Sequence, residues 1–373
     1  MTELRIAALA SALLLVAGCG AAEPSAQRSP TPLPSISLPP SPSPSAAPSP
    51  TPLLLPNAPN IHVPAGFRAQ IYASGLAAPT AIAVGPDGRL YVAEQSGNVV
   101  AMTPGGVGQV VTRGLRIPLG LAFDGNVLLI AVRGGLESLQ GGTLRPLVSG
   151  LPSGVHQQDG LAVAADGSIF LGSGSTCDVC QESDPRSAAI LHLNADGSGL
   201  QVYASGTRNP YGLAIMPSTN SLYSTVNGQD NLGAGEPADA VIKVTQGAFY
   251  GWPRCWPNLS ARALSGICQG VTAPIAYLAA HTSADGFAIY SAASFPAAYQ
   301  DHAFVAEWGA NSGGSTGRDL VDATLVGTAA GRVNEFATGF SHPIGVAVDP
   351  LGALLVADYG SGRVYRIQAA SGP

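Results

Sequence analysis

PTAIAVGPDGRLYVAE occupies residues 79–94, and PIGVAVDPLGALLVAD occupies residues 343–358. In each, a run of small and apolar residues reaches a turn containing Gly, and a second run rich in Val, Leu and Ala or Tyr follows. That is the pattern of two short antiparallel strands joined by a tight turn. Weaker copies stand between them: PLGLAFDGNVLLIAV at 118–132, GLAVAADGSIFLG at 160–172, a stretch at 210–226, and a decayed copy from Gly286. Successive copies begin roughly 40 to 70 residues apart, a blade-length interval once loop insertions are allowed. A solenoid needs shorter and more regular periods, and a sandwich does not repeat a sequence unit. Six copies therefore predict an all-β protein, a six-bladed β-propeller over residues 61–370. Closure of such a ring borrows a strand from the other end of the chain, and FRAQIY at 67–72 suits that role beside residues 364–367.

Composition agrees with this reading. Of 373 residues, 46% are hydrophobic and only 11% charged, with 47 Gly and 31 Pro. So little charge and so much Gly argue against a coiled coil, a helix bundle or charged disorder. They suit many short strands and tight turns. The net charge of −6, with no basic cluster, removes the electrostatic drive toward nucleic acid.

Residues 1–18 read as an export signal: Arg5 supplies a basic start, and an apolar run at 6–16 is too short to span a bilayer permanently. The run ends in Val16-Ala17-Gly18-Cys19, which resembles a bacterial lipobox. That resemblance implies cleavage before Cys19 and lipid attached to it. The protein would then sit on the outer side of the cytoplasmic membrane or on the cell surface, touching membrane only through the anchor. Ordinary secretion, with Cys19 removed or idle, is the alternative. Residues 19–60 are dominated by Pro, Ser, Ala and Thr, too poor in apolar surface to fold, and predict a disordered, extended spacer.

An oxidising compartment and an even number of remaining cysteines favour disulfides over zinc. The expected pairs are Cys177–Cys180, a small loop clip, and Cys255–Cys268, a staple after Tyr250-Gly251-Trp252-Pro253. A redox-active Cys-x-x-Cys needs a helix N-terminus, and nothing helical follows Cys180.

Two polar positions precede blade-opening strands. His156 is suited to accept a proton near neutral pH, or is a solvated loop histidine. Arg208-Asn209 occupies the equivalent place one blade later, where Arg208 either offers a donor fork or ties two blades together. The loop Asn227-Gly228-Gln229-Asp230, with Asp239, is rich in oxygen ligands suited to Ca²⁺, although its spacing is not that of an EF-hand. No His-Glu-x-x-His pair or phosphate-binding loop is present.

Three segments, in order, resemble the glucose/sorbosone dehydrogenase family of six-bladed propellers, which includes the soluble aldose dehydrogenases dependent on pyrroloquinoline quinone (PQQ). They run from Gly150 through His156 to Gly167, from Asp196 through Gly206-Thr207-Arg208-Asn209-Pro210, and from Val226 through Asp239 to Tyr250-Gly251-Trp252-Pro253. The resemblance implies an exported oxidoreductase acting on a small sugar-like alcohol or aldehyde, passing hydride to PQQ held by Ca²⁺ and then electrons to an unnamed acceptor. His156 would be the general base, Arg208 would stabilise charge on the quinone, and Asn209 would hold the cofactor. The carbonyls of Gly228 and Gln229 would bind the catalytic Ca²⁺; Asp239 and the Tyr250 carbonyl match a second, structural Ca²⁺ site. Departures stand beside these matches. Val155 replaces an aspartate before the histidine, and Ala240 replaces an acid after Asp239. Where the family supplies a lysine and two arginines to the quinone carboxylates, this chain has Glu307-Trp308, His342 and Ile344, leaving Trp308 and His342 as cofactor contacts. Two other readings follow from those departures: a non-catalytic propeller lipoprotein binding carbohydrate or a protein partner, and a metal-dependent, lactonase-like hydrolase with carboxylate and Asn ligands converging on the axis.

Overall fold

The computed structural model describes residues 54–310 and 316–370. The export signal, Cys19 and most of the expected spacer lie outside the described residues. Residues 54–60, assigned above to the spacer, instead belong to the folded body: Leu55 and Ala58 are buried, and Ala58 N–H donates to the Ala69 carbonyl at 3.1 Å.

Six four-stranded antiparallel sheets form the blades. Their innermost strands are Pro79–Val84, Pro118–Asp124, Gln158–Val163, Leu213–Met216, Ala284–Ile289 and Pro343–Val348. The sixth blade takes its outer strand from the start of the domain: Phe67–Ser74 pairs with Arg363–Ala369, from Phe67 opposite Ala369 to Ser74 opposite Arg363. This is the closure expected from FRAQIY. The fourth blade has the largest insertion, in which Cys255–Asn258 pairs with Ala263–Gly266 before the outer strand Ala276–Ala280.

Six apolar clusters fill the gaps between neighbouring blades. The cluster at the closure joins Tyr72, Ile82 and Leu90 to Leu355 and Val364, so the first and last blades are held by the same apolar packing as the others. Non-directional burial of this kind lets one strand-pair unit be used six times with different side chains.

The Gly near the start of the second to fifth units has a geometric cause. A Cβ on Gly160 would lie 2.5 Å from the Tyr211 carbonyl oxygen, on Gly212 2.7 Å from that of Asp285, and on Gly286 2.5 Å from that of Ile344. Inner strands converge on the axis so closely that a side chain at this position would strike the next blade's backbone.

Each inner strand begins opposite the end of its blade's second strand, as in Pro79 with Glu94, Gln158 with Ser173, Ala284 with Glu307 and Pro343 with Asp358. Segments that precede inner strands and segments that follow second strands therefore share one face of the ring. His156, Arg208 and His342 arrive on that face by the first route, and residues 174–187, 227–237, 308–310 and 316–318 by the second.

Candidate active site

His156 is placed by two neighbouring stretches running side by side. Its N–H donates to the Ser175 carbonyl at 3.1 Å, and Val155 N–H donates to the Thr176 carbonyl at 3.0 Å. The imidazole Nδ1 lies 2.9 Å from Ser175 Oγ, whose own proton goes to the Cys177 carbonyl at 2.7 Å. Ser175 can then only accept from the ring, which assigns the Nδ1–H tautomer and leaves the Nε2 lone pair free. Nε2 has no hydrogen-bond partner among the described residues. Burial first, and then the Arg208 charge, push the His156 pKa from 6.5 down to about 4, with Asp178 opposing. The ring is neutral at pH 7 and can act as a proton acceptor without first losing a proton.

Arg208 sits at φ 48° with only 4% of its side chain exposed. Its guanidinium donates to Asp178 Oδ1 at 2.7 Å, Asp230 Oδ2 at 3.1 Å, and the carbonyls of Asp178 and Asn227 at 3.3 and 3.2 Å. The expected free donor fork is thus engaged by the protein itself. Arg208 ties the long loops of the third and fourth blades together and acts on His156 through its charge. Asp178 also accepts from Asp230 N–H at 3.0 Å, and its carbonyl accepts from Trp252 Nε1 at 3.1 Å. It is presented by the Cys177–Cys180 disulfide, one of two in the structure; the other is Cys255–Cys268. Sequence reading took Cys177–Cys180 as a small loop clip and missed the acid inside it, although Asp178 supplies a negative charge near His156 where Val155 cannot.

Asn209 Oδ1 is buried without a partner, and a Cβ on Gly174 would come within 3.0 Å of it. The Gln229 side-chain oxygen is likewise unpartnered. Among the described residues, no hydrogen bond is donated to the Gly228 or Gln229 carbonyl. Each of these oxygens is a donor of the type that suits a hard cation.

Asp239, expected to share a second cation site with the Tyr250 carbonyl, has its carboxylate engaged by the protein. Asp239 is buried and accepts from Gly228 N–H at 2.8 Å, Thr282 Oγ1 at 3.2 Å and Ala284 N–H at 3.2 Å. Ala240, not Asp239, lines the small cavity of about 30 Å³ that Tyr250 lines with Gly228, Gln229 and Trp252. Strand alternation turns the carboxylate away from that cavity and puts a methyl group there.

The opposite wall is aromatic. The Trp308 and His342 rings are 4.2 Å apart, with Tyr359 6.2 Å from Trp308. Asp358 fixes the turn by accepting from His342 N–H at 2.7 Å. Burial and the Arg318 charge both lower the His342 pKa. Arg318 was not singled out in sequence. It follows a Gly-rich stretch of sequence, sits at φ 70°, packs its Cγ over Gly309, and keeps Nε buried with no partner among the described residues. Glu307 and Ile344 point elsewhere. Glu307 is buried beside Asp319, its pKa raised well above the usual range by burial and then by Asp319's charge; Ile344 joins the apolar cluster at the closure.

The sequence model of the Glucose / Sorbosone dehydrogenase family matches residues 144–366, more than half of the chain. The chain belongs to that family. A short second match, residues 69–102, is to the N-terminal part of strictosidine synthase-like proteins. An uncharacterized protein of Borreliella burgdorferi is 22% identical over 343 residues, covering 82% of this chain and 90% of that one. Among solved structures, the calcium structure of a Trichoderma reesei protein of carbohydrate-active enzyme family AA12 superposes with a TM-score of 0.71 at 16% identity, over 86% of this chain and 100% of that one. The holo PQQ domain of a pyranose dehydrogenase from Coprinopsis cinerea gives 0.70 at 18% identity, over 83% and 97%. The PQQ-bound aldose sugar dehydrogenase of Streptomyces coelicolor gives 0.62 at 21%, over 82% and 99%. These likenesses establish the six-bladed fold. Within this Glucose / Sorbosone dehydrogenase propeller, His156 and the Arg208-Asn209 turn stand on one face, and Arg318 stands beside the Trp308–His342 pair.

Proposed function

We propose that the protein is a sugar dehydrogenase that oxidises a hydroxyl-bearing or hydrated aldehyde carbon of a small sugar-like substrate, using PQQ and Ca²⁺. The observation that carries this reading is the His156 imidazole, held as the Nδ1–H tautomer by Ser175 with Nε2 unpartnered on a face that also bears free oxygen donors. Bound PQQ supplies the two-electron acceptor, with Ca²⁺ as the Lewis acid that polarises it. The carbonyls of Gly228 and Gln229 would hold the cation. Asn209 would offer its unpartnered Oδ1, Trp308 and His342 an aromatic wall, and Arg318 the charge for a carboxylate. His156 Nε2 would take the substrate's hydroxyl proton, and the Arg208–Asp178 pair would set its basicity and hold its loops. Related solved structures named for PQQ support this choice of cofactor.

Export belongs to the same reading, with Cys19 lipidated on the motif Val16-Ala17-Gly18-Cys19. A Cys19→Ala protein should leave the membrane fraction; unchanged fractionation overturns the anchor.

The test is titration of chelator-treated protein with PQQ, with and without Ca²⁺, followed by absorbance, then dye-linked oxidation of a sugar panel. His156→Ala should keep PQQ binding and lose turnover. Absence of PQQ binding removes the proposal. It would favour a non-catalytic, carbohydrate- or partner-binding propeller, a reading that draws on the engagement of Arg208 by protein acids and on Glu307 and Ile344 replacing family cations.

A further inference from the structure

The six inner strands place one equivalent residue each around the axis: Thr80, Leu119, Asp159, Tyr211, Asp285 and Ile344, each followed by Ala81 or by the close-packed Gly of the repeat. Thr80, Leu119, Tyr211 and Ile344 of this ring line an axial cavity of about 100 Å³, together with residues from all six inner strands. The ring is two-sided. Leu119 and Ile344 are apolar and Thr80 gives its hydroxyl proton to the Pro118 carbonyl at 2.6 Å, whereas three consecutive blades contribute Asp159, Tyr211 and Asp285.

That polar side is short of positive charge and of donors. Asp159 is 2% exposed and Asp285 3% exposed, and neither forms an ion pair among the described residues. Asp159 accepts no side-chain hydrogen bond, and its Oδ1 is buried and unpartnered. Tyr211 Oη is also buried and unpartnered. Asn227, 8% exposed, donates Nδ2 to Asp285 Oδ1 at 3.2 Å but leaves its own Oδ1 without a partner. Ser283 Oγ adds a second hydrogen bond to Asp285 Oδ1, at 3.1 Å. Two buried carboxylates without a cation are costly, and every unpartnered atom here can accept. Oxygen-only donors of mixed carboxylate, amide and phenol type suit a hard cation.

We propose that the polar side of this ring, beside the axial cavity, binds a hard cation, of the Ca²⁺ class, between Asp159, Tyr211, Asp285 and the Asn227 side chain. This donor set is built of side chains on or next to the inner strands and is separate from the backbone carbonyls of Gly228 and Gln229. Its role is to neutralise the two acids and lock the third, fourth and fifth blades beneath the catalytic face.

The probe is Tb³⁺, added to the full chain after chelator dialysis, with luminescence excited through tyrosine and Ca²⁺ as competitor. The wild-type protein should bind Tb³⁺ at this site and lose the signal to Ca²⁺. The double variant Asp159→Asn/Asp285→Asn should bind there on the order of 100-fold more weakly. Tyr211→Phe, which removes one neutral donor and the sensitising phenol, should weaken Tb³⁺ binding, measured by competition, by less than the double variant does and should lower the sensitised emission. Asn preserves side-chain size, and the metal-free double variant should melt at or above the metal-free wild type at neutral pH, because two buried carboxyls that must otherwise take up a proton on folding or stay charged without a partner have been removed. In wild type Ca²⁺ should raise the melting temperature more than in the double variant. Unchanged Tb³⁺ affinity and Ca²⁺ response in the double variant overturns the proposal, as does a wild type that binds neither ion. PQQ binding, followed separately by absorbance, distinguishes this failure from failure of the dehydrogenase reading.

Discussion

His156→Gln removes a titrating group whose effect on stability can be worked out in advance. The folded pKa is about 4 against an ordinary 6.5, with burial the first cause and Arg208 the second. Between those values the unfolded chain holds a proton that the folded chain lacks. Stability therefore rises with pH in this window: the contribution is fully present above pH 6.5 and is lost as pH falls toward 4. The gap between 6.5 and about 4 corresponds to about 3 kcal/mol when complete, of which about 2 kcal/mol is lost between pH 7 and pH 4.5. Asp159, Asp285 and Glu307 act in the opposite sense, since burial raises their carboxyls and their folded forms keep protons that the unfolded chain releases. Those groups are common to wild type and variant and cancel in the comparison. Urea unfolding of both proteins at the two pH values should show wild type losing about 2 kcal/mol more than His156→Gln on acidification. Equal losses would refute the buried neutral imidazole, and with it the tautomer argument that leaves Nε2 free.

Other consequences can be checked on the same material. Asp178→Asn takes the nearer carboxylate from Arg208 and leaves Asp230, which is 71% exposed. Because Asp178 is itself 37% exposed, the loss should be about 2 kcal/mol, below that of a fully buried pair. The acid limb of turnover should also move to lower pH; an unchanged unfolding midpoint would show that Asp230 suffices. Replacing Cys255 and Cys268 together by Ala should destabilise the protein by about 3 kcal/mol on the loop-closure argument, read as the shift in the denaturation midpoint. Gly120→Ala drives a methyl group into the Asp159 carbonyl and should lower stability by about 3 kcal/mol or more. Gly235→Ala, with open space around it, should change stability by no more than about 0.5 kcal/mol; equal effects of the two would contradict the close approach of inner strands. Arg318→Ala should weaken PQQ binding about tenfold or more in the absorbance titration, as expected for loss of one charge-assisted hydrogen bond.

The fold was legible because its signals are local. Strand alternation, turn glycines and the recurrence of one unit at residues 79, 118, 160, 210, 286 and 343 are properties of short windows. Even the closing strand could be read, since a ring of six needs a partner for its last blade. Both disulfides were accessible for the same reason, each joining cysteines close in sequence. His156, Arg208 and Asn209 were visible as polar residues at matching points before blade-opening strands.

What those residues touch was settled by the ring. Asp178 lies 30 residues from Arg208 in sequence and reaches it because the loops of two blades meet on one face. Asp239 looked like a cation ligand until the adjacent blade brought Thr282 and Ala284 to its carboxylate. Arg318 seemed an ordinary turn residue, and only packing of its stem over Gly309 beside the Trp308–His342 pair gives it a place in the site. Asp159, Tyr211 and Asp285 hold the same position in three successive units, yet in sequence each is a lone polar residue before a Gly. Closure of the propeller stacks them around the axis, away from water and without a cation. Their meaning depends on contacts between blades, and no periodicity within a blade encodes those.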